Sequence, residues 1–202
     1  MAETGGGFSK ARLEAFSDGV IAVIITIMVL ELHAPENDRI DDLLKLWPAL
    51  AIYFISFAFV AIYWINHHSI LNLAREVTPT LIWANNVLLL FLSLIPFATA
   101  YVANTHLAPV PTMIYGALQL LCGLAFALTF STVAAQRRGD HEFMVAARAR
   151  HAKNWLSTAA YALSILVAWL SPYSALAIFV AIAVAYVVPD LFAEPVHQRA
   201  RR

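Results

Sequence analysis

The chain has 202 residues, of which 61% are hydrophobic and 13% charged, and its formal net charge at pH 7 is zero. Soluble domains are about half apolar and about a quarter charged, so this composition is typical of an integral membrane protein. A neutral chain offers no electrostatic footprint for nucleic acid, and no nucleic-acid partner is expected. Cys122 is the single cysteine. It excludes an intrachain disulfide framework and a cysteine-based metal site.

Six hydrophobic segments are long enough to cross a bilayer, which requires about 20 mostly apolar residues in a helix. We therefore predict an all-α, polytopic membrane protein with a single transmembrane domain over residues 1–202. The first apolar segment is too long for a signal sequence and is interpreted as a retained helix. Pro96 lies inside the third segment and should kink it. The six predicted helices span residues 12–32, 46–72, 80–104, 111–136, 151–171 and 173–190.

The distribution of lysine and arginine predicts the orientation, because cytoplasmic loops are enriched in both. Basic residues concentrate between positions 137 and 153 and in the tail, which holds Arg199, Arg201 and Arg202. The loop after the first helix holds only Arg39 and Lys45, together with four acidic residues. We therefore expect a multi-pass protein of the cell membrane with both termini in the cytoplasm, which agrees with an even number of helices.

The first helix has an unusually short apolar core. Its uncharged stretch runs from Gly19 to Leu30, which is 12 residues. At about 1.5 Å per residue it reaches about 18 Å, whereas the hydrocarbon core is about 30 Å thick. Asp18 or Glu31 would then lie at a depth where ionisable residues usually face a bundle interior or a water-filled path. The alternative is that both acids lie at the interfaces of a tilted helix.

Helical geometry separates two faces of this helix. At about 100° per residue, Val23, Ile27 and Leu30 share a stripe within roughly 60°, with Thr26 at its edge. Asp18 lies about 140° from Val23 and so is off the stripe. Periodicity alone leaves open whether the stripe packs against other helices or lines a path, because every transmembrane helix has apolar stripes.

Polar residues of the first three helices lie at the same predicted membrane level. Buried polar groups need hydrogen-bond partners, so we predict one shared network; the alternative is that each histidine is an interfacial residue in contact with water. His67 and His68 are adjacent and point in different directions on a helix, so no metal site is expected. The predicted network comprises Arg12, Ser17, Asp18, His67 and Asn85.

Several segments resemble one known family. Residues 12–19, RLEAFSDG, match the RxxxFSD signature of the TMEM175 family of potassium channels. The rest of the first helix (VIAVIITIMVLEL), WINHH at 64–68 and the run from Trp83 through Asn85 to Pro96 and Phe97 are also similar to that family. The resemblance implies six helices per chain, a homotetramer surrounded by membrane lipid, and a pore lined by the first helix.

The resemblance also implies roles for individual residues. Val23 is placed at the main constriction, Thr26 at a hydroxyl position one turn above it, and Leu30 at a further apolar ring, with Ile27 between them. Glu31 is either an outer-mouth ring that concentrates cations or a solvated helix end. A structural role is expected for the motif and its partners: Arg12, Phe16, Ser17, Asp18, His67 and Asn85.

The expected function is therefore a potassium-permeable cation channel with a hydrophobic gate, which closes by dewetting. K⁺ is the expected permeant ion, with other monovalent cations left open, and no cofactor is expected. The alternative is a proton-coupled or small-solute transporter that uses Asp18 and His67, although such transporters tend to show inverted repeats. No nucleophile–base pair, glycine-rich phosphate loop or metal-ligand spacing indicates an enzyme.

Overall fold

The computed structural model describes residues 9–35 and 38–193, and within them all regular secondary structure is α-helical. The tail arginines Arg199, Arg201 and Arg202, used above for orientation, lie outside the described residues. The helices are α1 (Lys10–Leu30), α2 (Ile40–Leu44), α3 (Trp47–Leu73), α4 (Pro79–Ser93), α5 (Ile95–Asn104), α6 (Pro109–Ala135), α7 (His141–Leu170) and α8 (Pro172–Ala193).

Four spans in the described residues are long and apolar enough to cross a membrane: α1, α3, the α4–α5 pair and α6. The protein is thus a multi-pass membrane protein. In α8 the apolar stretch of Pro172–Val187 is shorter. Helix α7 is long, but basic residues occupy its first half.

The third span is broken next to Pro96. Helix α4 ends at Ser93 and α5 begins at Ile95. Proline has no N–H to continue the helical hydrogen-bond ladder, which is why the break falls here. The hydroxyl of Thr99 lies 2.8 Å from the Ile95 carbonyl oxygen and 2.7 Å from the Ser56 hydroxyl of α3. This buried contact ties the second half of the span to α3.

The expected start of the fifth helix at residue 151 is wrong, because α7 begins at His141. Asp140 caps the helix by accepting a hydrogen bond from the Phe143 N–H at 3.0 Å. The extra turns are amphipathic and basic, so a hydropathy pattern does not distinguish them from a loop. Helix α7 packs closely along α6: a Cβ at Gly123 would lie 3.2 Å from the Thr158 hydroxyl oxygen.

Candidate pore helix and its polar anchor

One face of α1 attaches it to the rest of the subunit. Its buried residues recur every three or four positions, which places them on a single stripe of the helix. This stripe packs mainly on α3, α4 and α5. The buried residues of α1 are Leu13, Ser17, Ile21, Ile24 and Met28.

The opposite face of α1 is exposed and apolar. Val23 is 55% exposed, Ile27 42% and Leu30 77%. Of the four spans, α1 is the least buried, with 28% of its most apolar window covered against 44% to 50% for the others. An open apolar groove runs along this face and includes Gly19 and, from α4, Ser93. In a membrane this face must therefore be covered by lipid or by another protein surface.

Thr26 adds one polar group to the exposed face. Its hydroxyl donates a hydrogen bond to the Val23 carbonyl oxygen at 2.8 Å. The single hydroxyl hydrogen is thereby used, so the oxygen lone pairs remain free as acceptors on an exposed side chain. Such an oxygen is suited to contact a cation or a water molecule.

Glu31 ends α1, and its backbone N–H bonds the Ile27 carbonyl oxygen at 3.3 Å. Its side chain is exposed. The carboxylate is thus at the end of the helix that carries the exposed apolar face.

A buried chain of hydrogen bonds lies behind α1. Asn85 of α4 donates from Nδ2 to the Ser17 hydroxyl oxygen at 3.1 Å. Its Oδ1 accepts from Nε2 of His67 in α3 at 2.6 Å. The Ser17 hydroxyl in turn donates to the Leu13 carbonyl oxygen at 2.9 Å. Ser17 and Asn85 are fully buried and His67 is 2% exposed. The chain therefore fixes the buried face of α1 against two neighbouring helices.

Asp18 makes a separate contact on the same helix. Nε1 of Trp64 in α3 donates a hydrogen bond to Oδ1 of Asp18 at 2.9 Å. Both side chains are exposed in the isolated subunit. Arg12 and Phe16 are also exposed, and among the described residues no hydrogen bond or ion pair of the Arg12 side chain is found. The structure thus joins Ser17, Asn85 and His67, and it leaves Arg12 and Phe16 outside this cluster.

Two residues at this level, Trp64 and Glu14, lie outside the sequence-based network, and only Trp64 makes a hydrogen bond to it. Trp64 is the partner of Asp18. The sequence signal was its indole N–H, which can act only as a hydrogen-bond donor. Glu14 has a buried Oε1 without a hydrogen-bond partner among the described residues. His68 points away from His67 and lies 2.9 Å from Nδ2 of Asn72. No group of three or more His, Cys, Asp or Glu that could hold a metal occurs in the described part of the chain.

Comparison with known proteins decides the family. The sequence profile described as "Endosomal/lysosomal potassium channel TMEM175" matches residues 12–96. A Chryseobacterium protein named a potassium channel is 36% identical over 182 residues, covering 90% of this chain and 94% of that protein. The chain belongs to the TMEM175 family. The profile match covers most of α1 and all of α3 and α4, which hold both the exposed apolar face and the buried hydrogen-bond chain.

Two further TMEM175 relatives bear on fold and function. The crystal structure titled a lysosomal potassium-selective channel TMEM175 homolog, from Chamaesiphon minutus, superposes with a TM-score of 0.80 at 26% identity, covering 89% of this chain and 97% of that one. The human "Endosomal/lysosomal proton channel TMEM175" is 32% identical over 102 residues, which is 45% of this chain and 20% of that protein. These relatives are ion channels, so the chain belongs with channels and not with enzymes.

Proposed function

We propose that this protein is a potassium-permeable cation channel of the cell membrane, assembled as a homotetramer. The observation that carries the proposal is the exposed face of α1, which combines large apolar side chains with one hydroxyl on the least buried span. The potassium-channel names of the bacterial relatives support K⁺ as the permeant ion. The proposed permeant ions include other monovalent cations, because one human relative is named a proton channel.

In the proposed assembly, each subunit contributes the α1 stripe, defined as Val23, Thr26, Ile27 and Leu30, to a central pore. Four copies of Val23, Ile27 and Leu30 form apolar rings, and such constrictions close by dewetting. Four Thr26 hydroxyl oxygens supply a polar ring between them. Apolar rings cannot replace an ion's hydration shell, so discrimination between K⁺ and Na⁺ should be modest and should depend on Thr26.

The proposed subunit crosses the membrane six times, with α7 and α8 as the fifth and sixth spans. Residues after Lys153 in α7 are largely apolar, and Pro172 allows a tight turn into α8. The basic segment between Arg137 and Lys153 would then lie in the cytoplasm, together with both termini. This topology puts Glu31 at the outer mouth and Asp18 at the inner end of the pore helix.

Single-channel recording of the purified protein in a planar bilayer tests the function. Discrete K⁺ currents are expected, whereas a proton-coupled or small-solute transporter turns over too slowly to give them. Val23→Ala should widen the narrowest ring and raise basal conductance, and Val23→Asn should wet it and raise the open probability. Val29→Ala is the matched control, because Val29 is 48% exposed but lies about 120° around the helix from Val23.

Two results would contradict the proposal. Absence of unitary currents, together with measurable uptake of a solute or proton by vesicles, would favour a transporter. Equal effects of Val23→Ala and Val29→Ala on conductance would remove Val23 from the gate and leave Leu30 as the next residue to test.

A further inference from the structure

A second site is lined by residues of helices other than α1. A cavity of about 190 Å³ is enclosed by residues of α3, α6, α7 and α8. A single water needs only about 10–15 Å³ of such space, so the cavity admits a larger polar group. Its polar lining is provided by Asn66, Ser69, Arg150, His151, Lys153 and Asn154.

Among the residues whose side chains the structure describes, the cations of this cavity have no anionic partner. None of its described lining residues is acidic, and among the described residues no ion pair involves Arg150 or Lys153. Lys153 is half-buried, and its ammonium lies 4.0 Å from the ring centroid of Tyr186. A cation that is partly removed from water favours an anion nearby. The cavity therefore presents two positive charges to whatever enters it.

The change from basic to apolar residues along α7 indicates how deep in the membrane the cavity lies. Trp155 and Leu156 directly follow the basic residues and are 55% and 73% exposed. Tryptophan is enriched at the membrane–water interface, so the cavity lies at headgroup level. Phe126 and Phe130 of α6 form an apolar wall beside the cations. The site thus combines a polar, cationic end with a hydrocarbon-like end.

We propose that this cavity binds the phosphate of an anionic phospholipid, with Arg150 and Lys153 contacting the phosphate. Amide and hydroxyl groups of Asn66, Ser69 and Asn154 would accept or donate hydrogen bonds to the glycerol region, and the apolar wall would contact an acyl chain. Basic pockets between transmembrane helices at headgroup depth are suited to anionic lipids. The proposal depends on membrane insertion of α7, and it is independent of pore formation by α1.

Thermal unfolding of the purified full-length protein in a neutral detergent tests this assignment. A ligand that binds only the folded state stabilises it by RT ln(1 + [L]/Kd), so the unfolding temperature rises with ligand concentration. Dioctanoyl phosphatidylglycerol should raise the unfolding temperature progressively as its concentration increases, whereas dioctanoyl phosphatidylcholine and inorganic phosphate should not. Equal stabilisation by phosphatidylcholine, or no stabilisation by phosphatidylglycerol, would overturn the proposal. Equal stabilisation by inorganic phosphate would instead assign the cavity to a free anion.

Matched variants locate the binding. Arg150→Gln and Lys153→Gln should each weaken phosphatidylglycerol affinity roughly fivefold, since a basic residue near a lipid surface contributes about that factor. Arg148→Gln removes the same charge from the same exposed helix but from a residue that does not line the cavity, and its affinity should equal that of the wild type. Arg150 is exposed, so its variant should fold even where Lys153→Gln does not. Equal weakening by Arg148→Gln and Arg150→Gln would show a nonspecific charge effect and refute the site.

Discussion

Nε2 of His67 donates a hydrogen bond to Oδ1 of Asn85 over 2.6 Å, linking α3 to α4 directly behind the proposed pore helix. The other end of the same amide reaches Ser17 of α1. A buried side chain that donates to one helix and accepts from another fixes their relative positions, because each group left without its partner would carry a desolvation cost. Asn85 is therefore the residue through which α1 is held in register.

Asn85→Leu should destabilise the subunit. The variant leaves the buried Nε2 of His67 without its acceptor, at a cost of about 1–3 kcal/mol for an unsatisfied buried group. Ser17 loses the donor to its hydroxyl oxygen but keeps its hydrogen bond to the Leu13 carbonyl oxygen. Thermal unfolding in detergent should show a clear drop in melting temperature. Asn86→Leu is the control, because Asn86 is half-buried and makes no hydrogen bond among the described residues. Equal melting temperatures for the two variants would contradict an anchoring role for Asn85.

Trp64→Phe should reduce tetramer yield without changing ion preference. It removes the indole N–H that bonds Asp18 at 2.9 Å and keeps an aromatic side chain. Asp18→Asn should have a smaller effect, since its amide oxygen can still accept this hydrogen bond. Light scattering after size exclusion measures the tetramer fraction, and the reversal potential under a K⁺/Na⁺ gradient measures preference.

The control for this pair is Trp83→Phe, because Trp83 is 70% exposed and makes no hydrogen bond in the described structure. A stable Asp18→Asn tetramer with an altered reversal potential would place Asp18 in the ion path. That outcome would overturn the assignment of α1 faces.

Thr26→Val should lower the preference for K⁺ over Na⁺. Valine keeps the shape of threonine but removes the hydroxyl oxygen that the structure leaves free to accept. The reversal potential under opposed K⁺ and Na⁺ should move toward zero. Thr26→Ser retains the oxygen and should keep the wild-type value. Identical reversal potentials for the valine and serine variants would remove the hydroxyl from ion selection.

Glu31→Gln should reduce K⁺ conductance at low salt and leave it unchanged at high salt. A ring of carboxylates at a pore mouth concentrates cations, and the Debye length falls from about 30 Å at 0.01 M to about 3 Å at 1 M ionic strength. Conductance measured at both concentrations tests this effect. Asp38→Asn removes an exposed charge from the same loop and should have little influence. A loss that is equal at both salt concentrations would indicate a structural role for Glu31.

Acidification should destabilise the start of α7 through Asp140. The Phe143 backbone N–H, and then the neighbouring Arg137, lower the pKa of this carboxyl below its ordinary value. A lowered folded-state pKa stabilises the protein above the unfolded pKa, and this stabilisation is lost as pH falls through the folded-state value. The protection factors of residues 141–147, which are exchange rates corrected for the pH dependence of intrinsic amide exchange, should thus fall at acidic pH.

Asp140→Asn keeps an acceptor for the Phe143 N–H but cannot titrate. It should show faster exchange than the wild type at pH 7, and the difference should become smaller at pH 3. Asp140→Ala, which removes the cap as well, should exchange fastest at both values. An undiminished difference between the wild type and the asparagine variant at pH 3 would exclude titration of Asp140 as the cause.

Much of the fold is encoded locally in the sequence. A stretch of apolar residues of membrane length forms a helix wherever its neighbours lie, so α1, α3 and α6 are found within about two residues of their expected bounds. The break beside Pro96 is also local, because the missing N–H belongs to that residue. The short apolar core of α1 and the common face of Val23, Ile27 and Leu30 follow from helical periodicity alone.

The tertiary structure decided which polar groups meet. Arg12, Ser17, Asp18, His67 and Asn85 lie at one level by sequence, yet only Ser17, His67 and Asn85 are joined, and Asp18 pairs with Trp64 instead. Level depends on position along a helix, whereas contact also depends on how the helices are rotated against each other. That rotation is set by the packing of buried faces from several helices at once, which no single segment of the sequence contains.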